Sequence, residues 1–396
     1  MDQPPGLIAR NFAVIALIVV IFIVYGSLFP FNFHPMPSGA VHALLSGWNR
    51  RPGRGDLLSN ILLYMPLGYF GFLSFRSRVN IALRVGLAFL FGLSLSVAVE
   101  LTQYYDAGRD TEATDVYANA AGTAFGTAAA LWLNDLWKRL PRHRIGDPAV
   151  ILLLGAWAGY NLFPFVPVID LHKYWSALKP LLQGGVTWYA LFTHAAVWLA
   201  AAVLIDQGVQ GQRSGFWFAV FAAILLGSKI IVTDGVLSDA EVGGAAIAFG
   251  LFLALESRPR LRLFVACALQ GCSVAAQRLE PFHFAAAAQP FGWIPFLSFM
   301  HGSIQVDTLS FLEKGFLYGS LIWLLQKIGL RLAAATLGVA ALLLATSLAE
   351  IHLPGRSAEV TDAAMALFIG SVIALVRTAT GGALNGSRPA AEPTPL

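Results

Sequence analysis

The sequence predicts an all-α, polytopic transmembrane helix bundle of about 12 spans, built from three four-helix repeats. Three observations lead there. First, of 396 residues 57% are hydrophobic and only 12% charged, against roughly 25% charged in soluble domains. Second, charge-free apolar runs return along the whole chain at membrane-spanning length, which a soluble core does not explain. Third, short polar motifs return at matched spacings.

The spans lie between the charges. We place them at about 12–30, 57–75, 83–105, 115–136, 148–164, 184–206, 215–233, 239–256, 261–280, 307–327, 330–351 and 361–378. The first has one arginine, Arg10, before it and no small-residue cleavage site after it, so it is read as a retained span. Pro281 to Val306 holds several prolines, glycines and aromatics and is read as an outer-surface or re-entrant segment. The tail beyond the last span, 381–396, is polar and small and is expected to be disordered.

Lysines and arginines orient the chain. With the N-terminus in the cytoplasm, 16 cations fall on the cytoplasmic side and 8 outside, which places both termini inside. Arg50, Arg51 and Arg54 argue the other way and are read as serving the outer surface. The net charge of +4 comes from loops beside the membrane, so nucleic acid is an unattractive partner. Cys267 and Cys272, five apart on one helix, diverge by about 140° and do not suggest a disulfide or metal pair. No cofactor or metal motif is present.

The repeats appear as echoes. "RDTEATD" at Arg109–Asp115 returns as "RSAEVTD" at Arg356–Asp362, and "DLLS" at Asp56 returns as "DTLS" at Asp307. Asp56 to Glu100 is 44 residues and Asp307 to Glu350 is 43. Pro-Phe pairs stand at Pro30, Pro164 and Pro281. "LSDAEVGGAAIAFG" at Leu237–Gly250 echoes "ATDVYANAAGTAFG" at Ala113–Gly126. Three units follow, at 8–145, 146–259 and 260–380.

Polar residues of the first unit fall on single helix faces. Asp56 and Asn60 are four apart. Ser96, Glu100 and Gln103 share a second face, and Asp115, Asn119, Gly122 and Gly126 a third. All lie at or just inside the outer boundary of the membrane, where such faces can close on one polar pocket. Arg109 is the natural counter-charge, with a planar fork suited to carboxylate or phosphate. The candidate ligand-binding set is therefore Asp56, Asn60, Glu100, Gln103, Arg109, Asp115 and Asn119. The secondary set is Asp307, Glu350, Arg356 and Asp362, with Glu350 expected to pair with Arg356.

Plainer readings stand beside these. Asp56 and Asp115 also suit helix N-terminal caps, and Arg109 a loop ion pair. Gly122 and Gly126 suit close helix packing. Tyr104, Tyr105, Trp48 and Trp293 suit the interfacial belt, and His194 and His352 stand apart from other ligand types.

The first unit resembles the VanZ-like membrane family. The residues that carry this are Pro30-Phe31, "DLLSNILLYMPLGYF" at Asp56–Phe70, "SLSVAVELTQ" at Ser94–Gln103 and "RDTEATDVYANAAGTAFG" at Arg109–Gly126. The resemblance spans 28–126, with weaker echoes in 160–256 and 279–378. The middle unit has Lys229 near the glutamate position and Gly243 where the first has Asn119. The last keeps its charges but has Phe311 in place of Asn60 and Leu353 near the Gln103 position. The family is named for a component of a glycopeptide-resistance cluster and is linked with decreased sensitivity to teicoplanin. The resemblance implies a bacterial cytoplasmic-membrane protein of the cell envelope, with no reaction assigned.

Three functions are carried forward. The first is a non-enzymatic protein that binds or moves an amphiphile head group at the outer leaflet, its partner a membrane lipid or lipid-linked saccharide. The second is a membrane-embedded hydrolase or transferase using the outer-face carboxylates. The third is a repeat-built secondary transporter, for which Lys229 and Lys314 are the membrane-embedded charges to examine. A pocket reached from one side favours the first, bound divalent metal the second, and a tunnel across the membrane the third.

Overall fold

A computed structural model describes residues 5–36, 38–46, 54–75, 79–107, 111–139, 147–210, 213–233, 235–301 and 304–385; side chains of 5–8, 54–56, 133–139, 183, 300–301, 304–305 and 378–385 are outside the description. Among these residues twelve helices reach 15 residues or more. They are α1 (Pro5–Leu28), α2 (Arg54–Ser74), α3 (Ile81–Gln103), α4 (Ala113–Arg139), α5 (Pro148–Leu162), α6 (Trp188–Gly208), α7 (Ser214–Ile231), α8 (Asp239–Ala254), α9 (Pro259–Leu279), α10 (Ile304–Lys327), α11 (Leu332–Ala349) and α12 (Thr361–Asn385). Each coincides with one of the twelve segments read from the sequence, and the protein is all-α.

Among the described residues six stretches are long and apolar enough to cross a membrane: Ala9–Leu28, Leu57–Ser74, Ile81–Gln103, Trp188–Gly208, Ser214–Ile231 and Leu332–His352. The sequence led to an expectation of about twelve crossings; the twelve helices are present, and six of them have this character. The others fall short for visible reasons. Helix α5 has only 15 residues. Helix α9 carries Arg260, Arg262 and Arg278, and α10 carries Asp307, Glu313, Lys314 and Lys327. Helix α12 runs to Asn385, past the start expected for a disordered tail. Residues 386–396 lie outside the described residues.

The chain divides into two compact units, Met1–Arg142 with Leu375–Leu396, and His143–Ala374. In the first unit, α2 and α4 meet backbone to backbone. A Cβ on Gly122 would lie 2.2 Å from the Ile61 carbonyl oxygen, and one on Gly126 would lie 1.9 Å from that of Met65. Only glycine permits this approach. Helix α1 packs on α2, and α3 on α4. Arg84 crosses the other end of α2, its guanidinium 4.1 Å from the centre of the Phe72 ring.

The second unit has one large core, organised around α6. From Ala195 to Asp206 every residue of that helix is buried, as expected for a helix that is apolar all round. Helices α5, α7, α8, α9 and α10 all pack on it. Its single acid, Asp206, is met by the buried Arg262 of α9, which also lies 4.2 Å from the Phe252 ring centre. The middle and last segments are not separate bodies here. The first helix of each packs mainly on the second helix of the other, α5 on α10 and α9 on α6. In the first unit the corresponding pair, α1 and α2, comes from one segment.

One turn recurs three times. After α1, α5 and α9 a cis peptide bond precedes Pro30, Pro164 and Pro281. The next residue, Phe31, Phe165 or Phe282, has φ near +60°. Its N–H donates to the carbonyl of Leu28, Leu162 or Leu279 at 2.7, 2.6 and 2.8 Å. The chain then pairs with the loop after the third helix of the same segment: Ala107 N–H to Asn32 O at 3.0 Å, Thr233 N–H to Val166 O at 2.9 Å, and Ala285 N–H to His352 O at 2.7 Å. The segment from Pro281 continues as loop and a short helix, Leu297–His301, before α10.

The close packing gives a test. Gly126→Ala is expected to destabilise the protein by at least about 1–3 kcal/mol, because helix backbone and not a mobile side chain blocks the new methyl. Gly86→Ala, in the same unit with nothing within 4 Å of the new Cβ, is expected to gain about 0.5–1 kcal/mol. Unfolding midpoints in detergent read both signs.

Candidate functional sites at the helix ends

In the first unit three helix ends bring four of the predicted polar residues together. Glu100 and Gln103 come from the C-terminal end of α3, Asp115 and Asn119 from the start of α4, and the Ser27 carbonyl from the end of α1. Glu100 is 2% exposed. Its carboxylate accepts the Glu112 N–H at 3.0 Å, and its carbonyl accepts the Thr111 hydroxyl at 3.1 Å. Asp115 and Glu112 lie near enough for their charges to act on it. Asn119 donates to Ser96 Oγ at 2.9 Å and Gln103 to the Ser27 carbonyl at 2.9 Å. The acceptor atoms Gln103 Oε1, Asn119 Oδ1 and Asp106 Oδ2 are buried and have no hydrogen-bond partner among the described residues. Asn60 is half-buried. Arg109 and the side chain of Asp56 lie outside the described residues.

The middle segment holds its charge differently. Lys229, near the glutamate position, meets Glu241 of α8 at 2.6 Å. Lys173 donates to the carbonyls of Lys229 and Ile230 at 2.9 and 2.8 Å, closing the C-terminal end of α7.

The second unit contains a cavity of about 760 Å³. It lies among the C-terminal ends of α5, α9 and α11 and the N-terminal ends of α6, α10 and α12. Asp307, Glu350, Arg356 and Asp362, the secondary candidates, all line it. The pairing is not the one expected from sequence. Glu350 and Asp362 are held by Arg278 of α9, which reaches Glu350 at 2.7 Å, Ser347 Oγ at 2.7 Å and the Asp362 carboxylate. Lys314 adds a second contact to Asp362 at 2.8 Å, and Tyr318 donates to it at 3.0 Å. Arg356 instead donates to the carbonyls of Gln277 and Glu280 at 2.8 and 2.7 Å and meets the Glu280 carboxylate at 3.5 Å. The physical reason is reach. Arg356 sits in the loop above the end of α9, whose terminal carbonyls need donors, whereas Arg278 rises from inside the bundle.

Arg278 lies outside the recurring motifs, but the repeat register carries a signal for it. Ser27, Asn161 and Arg278 each stand three residues before the recurring proline. Only the last segment has a cation there. Gln289 completes this end, its amide donating to the carbonyls of Glu350 and Arg356 at 2.7 and 2.8 Å. Aromatic residues Trp157, Tyr160, Tyr189 and Phe299 form much of the remaining wall. Among the described residues no group of three or more His, Cys, Asp or Glu side chains is placed to hold a metal ion.

The ion pairs predict an inequality. Arg278→Gln leaves two buried carboxylates short of their guanidinium and is expected to cost about 3–5 kcal/mol of stability. Arg356→Gln removes hydrogen bonds at a partly exposed helix end and is expected to cost about 1–2 kcal/mol. Comparable losses on denaturant unfolding would mean that Arg278 is not the organising cation.

Comparison with known proteins bears on the first of these sites. No curated protein and no solved structure matches the chain. Residues 12–134 match the VanZ/LLP1 family model, a stretch that contains the whole 28–126 resemblance and every candidate residue of the first unit. With its apolar helices, the chain is a membrane protein that carries a VanZ-like domain at residues 12–134.

Proposed function

We propose that this VanZ-like membrane protein binds the head group of an amphiphile, a membrane lipid or lipid-linked saccharide, at the extracytoplasmic surface of the bacterial inner membrane. Both termini are then cytoplasmic, and the helix ends that carry Glu100, Glu350 and the cavity face outward. The observation that carries this reading is the cavity of the second unit. Its volume of about 760 Å³ falls in the range of small-molecule sites, and it lies at one end of the bundle. Its wall joins aromatic faces to charged side chains, the combination a polar head on an apolar stem requires. Arg278, Lys314 and Arg356 are held in ion pairs and helix-end hydrogen bonds, which favours a rigid receptor surface. The link of the VanZ-like family to glycopeptide sensitivity fits this role, because lipid-bearing glycopeptides act where lipid-linked envelope precursors are displayed.

Two measurements test the reading. In a background lacking Cys267 and Cys272, single cysteines at the exposed positions Ile169 and Trp293 are expected to react with an impermeant thiol reagent added outside intact cells. A cysteine at the exposed Ser257 is expected to react only after permeabilisation. The reverse pattern overturns the orientation. For the site itself, Thr193→Trp on α6 and Ser310→Trp on α10 each place a large side chain in the cavity lining. Native mass spectrometry is expected to find co-purified amphiphile on the wild type and at least tenfold less on each variant. Unchanged retention in both would remove the cavity from the binding site.

A further inference from the structure

We infer, resting on the reading of this cavity as an amphiphile site, that the head group it accepts carries an ammonium group beside an oxygen acceptor, and that an anionic phosphate head is rejected. The wall has three cations, and each is engaged. Arg278 spends its donors on Ser347, Glu350 and Asp362. Lys314 contacts Asp362 and lies 5.6 Å from the centre of the Phe299 ring. Arg356 is directed to the carbonyls that end α9. A phosphate entering here has to displace a buried carboxylate from its partner, and the displaced carboxylate then stays in a low-dielectric wall.

The carboxylates, by contrast, are in surplus. Besides Glu350, Asp362 and Glu280, the wall carries Asp307, Glu313 and Glu359. Glu359 accepts one hydrogen bond, from Ser298 Oγ at 2.6 Å, and an ionised carboxylate has about four acceptor positions. Asp307 has no hydrogen bond or ion pair among the described residues. A ligand that brings donors and positive charge satisfies this wall. The aromatic faces of Trp157, Tyr160 and Tyr189 add cation–π attraction of the same sign.

A second, independent observation sets the rest of the head group. Trp157 lines the cavity, is only 4% exposed, and its indole N–H has no hydrogen-bond partner among the described residues. Its ring is fixed between neighbours, stacked 4.8 Å from Phe316 and 5.7 Å from Tyr160. A buried N–H without an acceptor is costly, and an oxygen on the ligand supplies one. An amino sugar, an aminoacyl ester or an ethanolamine combines both features. All three share the ammonium and the neighbouring oxygen, and they differ only in what carries them.

The experiment uses the full chain in neutral detergent with three amphiphiles of equal alkyl length: an alkyl glucosaminide, the same compound N-acetylated, and an alkyl phosphate. The glucosaminide is expected to bind about ten- to a hundredfold more tightly than its N-acetyl form, and the phosphate not measurably. Asp307→Asn and, independently, Glu313→Gln are expected to shrink that ratio. Trp157→Phe is expected to weaken both glycolipids alike. Free glucosamine binding as tightly as its alkyl form supports the ammonium and assigns it to a soluble ligand. Equal affinity for the amine and its N-acetyl form, or preferred binding of the phosphate, overturns the inference and leaves amphiphile binding standing. Binding of none of the three, in protein that still unfolds cooperatively, overturns the underlying reading as well.

Discussion

A carboxylate at the C-terminal end of a membrane helix is the constraint from which most of this structure follows. The helix dipole opposes it there, and the apolar surroundings raise the cost of leaving it alone. The chain meets this problem at corresponding places in two of its segments. Glu100 receives the backbone N–H of Glu112, which requires the loop after α3 to fold back over the helix end. Glu350 receives Arg278, which requires α9 to stand against α11. The middle segment inverts the sign, and Lys229 takes its partner from Glu241 on the next helix. In all three, the loop after the third helix is also tied by backbone hydrogen bonds to the loop after the first. The recurring Pro-Phe turn delivers the chain to that tie. Charge at the helix ends and backbone pairing of the loops thus fix the same end of the bundle.

The exchange of first helices in the second unit follows from packing, not charge. Helix α6 is buried on every side and needs more neighbours than a four-helix segment offers. Helix α9 supplies one, bringing Arg262 onto Asp206, and α5 is then free to pack on α10, where Leu153 lies against Gly319. One consequence is chemical. Arg278 is carried on the same helix as Arg262, at the opposite end, so the exchange that buries α6 also sets the guanidinium between Glu350 and Asp362. A second consequence is the void itself, walled by residues of both segments. In the first unit α1 packs on its own α2, and α2 and α4 touch through Gly122 and Gly126.

Much of this was legible in the sequence. The helices, the glycine contact and the gathering of Glu100, Gln103, Asp115 and Asn119 at one end all follow from local composition and helical spacing. The partner of Glu350 did not. Arg356 is six residues away in the chain and Arg278 is 72, and motif reading favours the neighbour. Spatial pairing here is set by which helix stands beside which, and that depends on an exchange that no local pattern encodes. The surviving clue was register, since the residue three before each recurring proline is Ser27, Asn161 and Arg278. Substitution at a fixed repeat position marks a changed interaction more reliably than a charged residue inside a conspicuous motif. The number of crossings shows the same limit. Apolar run length identified the helices, but the partners of charges such as Arg262 and Arg278 on α9 and Lys314 on α10 are visible only after folding.

The two units also separate two meanings of a polar cluster. The first unit has the fuller set of amides and acids, and buried acceptors at Gln103, Asn119 and Asp106 without hydrogen-bond partners among the described residues, yet its α2 and α4 meet backbone to backbone. The last segment has replaced amides by Phe311 and Leu353 and neutralised its acids with Arg278 and Lys314, yet it borders the cavity. A complete polar motif measures how many groups must be satisfied when helix ends are buried. A ligand requires room next to groups whose needs the protein leaves partly unmet. In the second unit that room comes from two segments sharing one core, and the unmet needs are those of Asp307 and the Trp157 indole. On the proposed reading, recognition is thus a property of how the segments are joined, and the motif that recurs among them supplies the frame on which it is built.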